Sequence, residues 1–241
     1  LDYIDAVLET ADFDTLFSVI TQMLQSGNKD RILATHLFIG DAMRLYTKYP
    51  DSDGNPSTSK ICLLFQQKLP DSTVVEALHK NVFSNIYAVR SSTVYTLGRI
   101  SLKTSIPVLK ESFRSSLDND PLLLPQLLSA LVWLGRSHIW KLIEKMASSP
   151  HDMTRWAALG CGFLDYFDNP KSRRSVIYTQ RQLHILDMLK NDQHPLVRTE
   201  AEYKWQQCQL ALNREKRDEQ PEKAPLLFES AQIRFRNLMS D

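Results

Sequence analysis

Residues 88–98 read Ala88-Val89-Arg90-Ser91-Ser92-Thr93-Val94-Tyr95-Thr96-Leu97-Gly98, with a valine–arginine pair near the start, a small residue three positions after the arginine, and leucine–glycine at the end. Weaker echoes stand at Asp30-Arg31 with Ala34, at Thr154-Arg155 with Ala158 and at Val197-Arg198 with Ala201. Residues 127–135 keep Ala130, Leu134 and Gly135 but place Leu127 where the arginine belongs. Recurrence of this kind decides a fold, because a helix pair in a stack touches only its neighbours and must reuse similar residues at similar places. The separations are irregular, so the first two intervals each hold an extra unit or an inserted helix.

The 88–98 pattern resembles the second helix of a HEAT repeat, and Ile106-Pro107-Val108-Leu109 resembles the proline-bearing first helix of the next repeat. The resemblance covers most of residues 12–212. It implies an all-α fold, a short right-handed α-α superhelix of HEAT-like helix pairs over residues 1–213. It also implies that Arg31, Arg90, Arg155 and Arg198 line up near the starts of the second helices, close to the inner surface of the curve. In HEAT-like arrays such an arginine resembles a strut that pairs with an acidic or amide residue in the preceding turn, and Asn85, Asp152 and Asp192 are the candidates here. Phosphate capture by the ladder is the competing reading, and the strut is the stronger of the two.

Periodicity agrees from one end of the chain to the other. Phe13, Leu16, Phe17, Ile20, Met23 and Leu24 recur at spacings of three and four, the one-sided stripe of an amphipathic helix, and Gly27-Asn28 ends it. A second stripe runs from Ile32 to Tyr46 and stops before Pro50, so the two helices lie antiparallel across a short turn. Stripes resume over residues 60–69, 73–83, 87–100, 105–117, 122–134, 138–147, 153–167, 175–189 and 196–212. The 122–134 stretch is apolar nearly all round, with Gln126 and Ser129 its polar middle residues, which predicts burial on several sides. Only 7 glycines are present, fewer than the turns of a β-rich fold of this length would need, and most of the 11 prolines fall between stripes as helix punctuation.

Composition narrows the function classes. The 43% hydrophobic and 24% charged residues are those of a globular protein with a sizeable core. Lys and Arg number 29 against 28 Asp and Glu, so there is no protein-wide field to draw in nucleic acid or anionic lipid. No apolar run reaches the roughly 18 to 20 residues that span a bilayer, and the expected compartment is the cytoplasm, with no membrane partner. Cys62, Cys161 and Cys208 are far apart among apolar or helical neighbours, which fits buried thiols in a reducing compartment.

No motif for chemistry survives inspection, and no cofactor is expected. The polar loop 50–59 places Asp51, Asp53 and Asn55 in a row, but Gly54 comes too early for a calcium loop and no glutamate closes the frame. The 6 histidines never pair at i, i+4, no glycine-rich phosphate loop stands outside a helical pattern, and no serine sits in a G-x-S-x-G elbow. Asp165 and Asp168 flank Tyr166 and Phe167, a pair that reads as a solvated helix end before Asn169-Pro170.

Three surfaces invite a binding role. Lys171, Arg173, Arg174 and Arg181, interleaved with Tyr166, Phe167 and Tyr178, form a basic patch suited to phosphate contact and base stacking. Trp156 beside Arg155 resembles the basic, aromatic-lined concavity of helical-repeat DNA glycosylases, a reading that the near-zero net charge disfavours. Residues 214–223, REKRDEQPEK, form a charged linker, and residues 224–241 put Leu227, Phe228, Ala231, Phe235, Leu238 and Met239 on one face of an amphipathic helix, read as a cap on the last repeat. The leading expectation is a non-enzymatic scaffold that holds a protein partner on the concave surface made by the second helices. One family of bilin lyases is similar in being built from short HEAT-like arrays; that likeness, to a lyase or lyase-chaperone, is at fold level and supplies no matching catalytic residues.

Overall fold

The computed structural model describes residues 2–43, 60–135, 139–161 and 173–213, and every regular element among them is a helix. The 50–59 loop, Asp165, Asp168, Lys171, the side chains of Cys62, Arg173 and Arg174, and the linker and terminal helix expected over 214–241 lie outside the described residues. The chain divides into two compact units, Leu1–Leu142 and Ile143–Asp241. No described helix is long and apolar enough to cross a membrane.

The first unit carries α1 (Asp2–Thr10), α2 (Phe13–Leu24), α3 (Lys29–Ala42), α4 (Lys60–Lys68), α5 (Thr73–Asn81), α6 (Tyr87–Arg99), α7 (Ile106–Asn119) and α8 (Leu124–Trp133). Local chemistry sets the ends. Asp12 caps α2, its carboxylate accepting from the Thr15 amide at 3.0 Å and the Thr15 hydroxyl at 2.9 Å, and these bonds hold its pKa below the usual carboxylate value. Gly27 takes the left-handed φ of +69° that lets the chain turn back, and Asn28 then caps α3 through the Arg31 amide at 3.0 Å. Proline stands in the first turns of α7 and α8, where its missing amide costs nothing.

Packing in this unit follows a rule. The first helices α2 and α5 pack on each other, the second helices α3, α6 and α8 pack in succession, and α2–α3, α5–α6 and α7–α8 close the pairs. Phe13, Phe17 and Phe65 form an aromatic knot, with ring centroids 5.9 Å and 5.3 Å apart, and Phe38 meets Phe65 edge-on at 6.4 Å. Leu124, Leu127, Leu128 and Leu131 of α8 are fully buried against α6 and α7, in line with the all-round apolar character of that stretch. The α6–α8 crossing depends on Gly98: a Cβ there would stand 2.8 Å from the Cα of Ala130 and 2.7 Å from the Trp133 ring.

One polar cluster is sealed into this core. His36 of α3 is buried, with Nε2 3.0 Å from Thr93 Oγ1 and Nδ1 3.1 Å from Thr96 Oγ1. Thr93 spends its own hydroxyl proton on the Val89 carbonyl at 2.7 Å. It therefore accepts from Nε2–H, which leaves Nδ1 to accept from Thr96 and fixes the neutral tautomer. Burial pushes the His36 pKa down to about 4.

The division falls within α9 (Ile139–Ala147), and the second unit continues with α10 (Asp152–Leu159), α11 (Arg173–Leu189) and α12 (Pro195–Asn213). α12 packs on both α11 and α10. Its inward stripe is Val197, Ala201, Lys204 and Cys208, and burial raises the Cys208 thiol to about 11. The stripe expected to run to residue 167 stops at Leu159, where Gly160 takes the C-cap position.

Candidate functional site

Three arginines expected in a ladder share one geometry. Arg90, Arg155 and Arg198 are each the fourth residue of their helices α6, α10 and α12. Each sends Nη1 back to a carbonyl six residues earlier, to Ser84 at 2.6 Å, Ser149 at 2.9 Å and Asp192 at 2.7 Å. A cation in a helix's first turn sits against the positive end of the dipole, so such an arginine needs acceptors around it. Two of the three also take a carboxylate. Arg90 donates Nε and Nη2 to Asp120 at 2.9 and 2.7 Å, and Arg155 donates Nε and Nη2 to the two oxygens of Asp192.

The carboxylate comes from the turn that opens the next second helix, not from the turn preceding the arginine's own helix. Asn85 is exposed and Asp152 caps its neighbour's amide, so neither is the partner the sequence suggested. Asp192 is a node: its side chain holds Arg155 and the His194 amide at 2.8 Å, while its carbonyl holds Arg198. The hydrogen bonds from Arg155 keep the Asp192 pKa below the ordinary carboxylate value against the opposing effect of burial, and raise that of Arg155.

Arg31 stands apart. It is the third residue of α3, one position early, which turns it about 100° around the helix axis. Its side chain is exposed and makes no hydrogen bond or ion pair among the described residues. Leu127 takes the fourth position of α8 and is buried. Trp156 is half-buried beside the Arg155 strut, Arg198 keeps an exposed side chain, and Arg181 is exposed on α11. The ladder is thus mostly consumed in holding turns to one another, and no three His, Cys, Asp or Glu side chains converge among the described residues as a metal site would require.

Two open hollows lie in the first unit. One, of about 270 Å3, surrounds the Arg90–Asp120 pair with Ser84, Ser112, Ser116 and the half-exposed ring of Phe83. The other, of about 570 Å3, lies between α2 and α5, where the Thr21 and Thr73 hydroxyls meet at 2.8 Å under Asp14, Asp71 and Glu76. Neither brings a nucleophile to a base.

The feature with binding character is one that the sequence reading passed over. Trp133, at the end of α8, is 42% exposed. Gly98 admits its ring against α6, Tyr95 meets it edge-on at 5.7 Å, and the Arg99 guanidinium stands 5.4 Å over it. Tyr95 and Arg99 are one helical turn apart, and the second helices α6 and α8 hold all three side chains. The cation–π and edge-to-face contacts fix the indole without covering it. Leu37 of α3, on the neighbouring second helix, is 60% exposed. No protein-family model matches the chain, and no curated protein matches it in sequence.

Proposed function

We propose that this protein is a HEAT-like helical scaffold that binds a protein partner on the surface made by its second helices. The like-on-like packing of α2 with α5 and of α3, α6 and α8, and the arginine–carbonyl device repeated at the fourth position of three helices, support the solenoid part of that reading. A single observation carries the binding part: a tryptophan, a tyrosine and an arginine gather, partly exposed, on one second-helix surface. These are the residue types in which binding energy concentrates, and a ring already held in place loses little freedom on docking.

The test is retention of partners from the native organism by tagged wild type, by Trp133→Ala, and by Val19→Ala on the first helix α2, with thermal melts run alongside. The reading expects a partner retained by wild type and Val19→Ala and lost from Trp133→Ala at unchanged melting temperature. Equal retention by all three would sink it.

A further inference from the structure

We infer that the hollow around Arg90 and Asp120 binds one ring of a neutral sugar, at a site independent of the second-helix surface described above. The hollow opens between the start of α6 and the length of α7, whereas Trp133 meets α6 at its other end.

Two buried serines carry the inference. Ser112 and Ser116 lie one turn apart on α7, only 3% and 4% exposed, and both line the hollow. Neither hydroxyl has a hydrogen-bond partner among the described residues, and neither oxygen is sealed from solvent. A serine inside a helix can bond back to the carbonyl four residues earlier, as Ser129 does to Pro125 at 3.0 Å, but these two do not. Buried polar groups are partnered as a rule, and alanine would serve the helix better at both positions. Two unpartnered hydroxyls at one hollow therefore point to a ligand that bonds to them.

The ion pair beside them sets the ligand's charge. Of the five N–H groups of Arg90, two are committed to Asp120 and one to the Ser84 carbonyl, which leaves one on each Nη. Both bonds to Asp120 end on Oδ2, so Oδ1 keeps its acceptor capacity. The Ser84 hydroxyl oxygen takes the Ile86 amide at 3.2 Å and still has its proton to give. Donors thus stand beside acceptors, with one positive and one negative charge already set against each other. An anion would meet Asp120, and a cation would meet Arg90. A hydroxyl both donates and accepts, so adjacent hydroxyls of a sugar span Arg90 and Asp120 Oδ1 while others meet the serines. The half-exposed Phe83 ring offers a flat apolar wall to the C–H face of the sugar. At about 270 Å3 the hollow falls below the roughly 300 to 1,000 Å3 of sites for drug-sized ligands, which fits a single ring. A carboxamide would also pair with Arg90 and Asp120, yet its one carbonyl and one amino group would leave Ser112 and Ser116 without partners.

The test titrates the isotopically labelled full chain with D-glucose, D-galactose and D-mannose up to about 50 mM and follows the amide resonances, a range that captures millimolar binding. At least one sugar should shift the amides of residues 83–84 and 112–120. The double variant Ser112→Ala, Ser116→Ala should weaken that binding at least about fivefold at an unchanged or raised melting temperature, because it removes only unpartnered hydroxyls. If the double variant melts lower, Phe83→Ala, which trims an exposed ring, must show the same loss. Methyl glycosides identify the source of the ring. Binding equal to that of the free sugar admits the end ring of a glycan, whereas lost binding restricts the site to free sugar, and both results uphold the inference. No shift from any of the three sugars, tighter binding of acetate, phosphate or acetamide, or full sugar binding by the double variant would overturn it.

Discussion

Asp192 holds Arg155 from 37 positions away, through both Nε and Nη2 of the guanidinium, with only 4% and 9% of the two side chains exposed. Burial of both charges makes the pair costly to break from one side. Asp192→Ala should destabilise the Ile143–Asp241 unit by about 3 to 5 kcal/mol, because a buried guanidinium would lose its counter-ion. Asp120→Ala should cost less, since Arg90 and Asp120 keep 20% and 17% exposure. Urea unfolding read separately for each unit checks both, and equal losses would contradict the ranking.

The same pair sets an acid limit. Arg155 lowers the Asp192 pKa in the folded protein, so the stabilisation is complete above the unfolded carboxylate value of about 3.9 and is lost as pH falls through the lower folded value. Asp192→Asn should flatten this dependence below about pH 4. An unchanged acid limb in the variant would show that other carboxylates govern it.

His36 acts in a milder range. Its folded pKa of about 4 lies below the ordinary value of 6.5, so the neutral ring stabilises fully above that value and the contribution disappears as pH falls from 6.5 to about 4. The loss should reach about 3 kcal/mol in the Leu1–Leu142 unit. His36→Gln should remove most of it. His79, whose pKa burial also lowers and whose Nε2 meets Ser105 at 2.8 Å, leaves a smaller slope of the same sign. Denaturant midpoints measured across that pH range decide the matter.

Gly98→Ala makes a counter-intuitive case. Alanine is the better helix former by about 1 kcal/mol, yet the new methyl would stand 2.8 Å from the Cα of Ala130, a backbone atom with nowhere to go. We expect net destabilisation of about 1 to 3 kcal/mol together with a displaced Trp133. A more stable variant would mean that α6 and α8 do not cross this closely.

Arg31 supplies a control for the ladder. Exposed and outside the strut geometry, its replacement by alanine should change stability by less than about 0.5 kcal/mol, although the sequence places it in the same pattern as Arg155. A loss comparable to that of Arg155→Ala would restore it to the ladder.

The helical character and most of the boundaries were legible because apolar spacing, caps and prolines reinforce one another, as at Asp12, Asn28, Pro107 and Pro125. α1 escaped notice: the stripes read from the sequence begin at Phe13, and a helix of 9 residues with Leu8 buried is too short for its period to stand out. The arginine partners were misassigned because a strut bridges consecutive pairs, and no local spacing reveals that Asp120 rather than Asn85 faces Arg90. Trp133 looked like one more apolar residue of a buried helix. Its exposure follows from where α8 crosses α6, a tertiary fact to which the Leu97-Gly98 dipeptide was the only sequence clue.

The most direct test of the scaffold account places a photo-crosslinking amino acid at Leu37 or Trp133 on the second helices, and at Val19 or Met23 on α2, all exposed positions. After irradiation in cells of the native organism, the account predicts discrete crosslinked protein products from Leu37 and Trp133 and none from Val19 and Met23. Products formed only from α2, or equally from both sides, would contradict it.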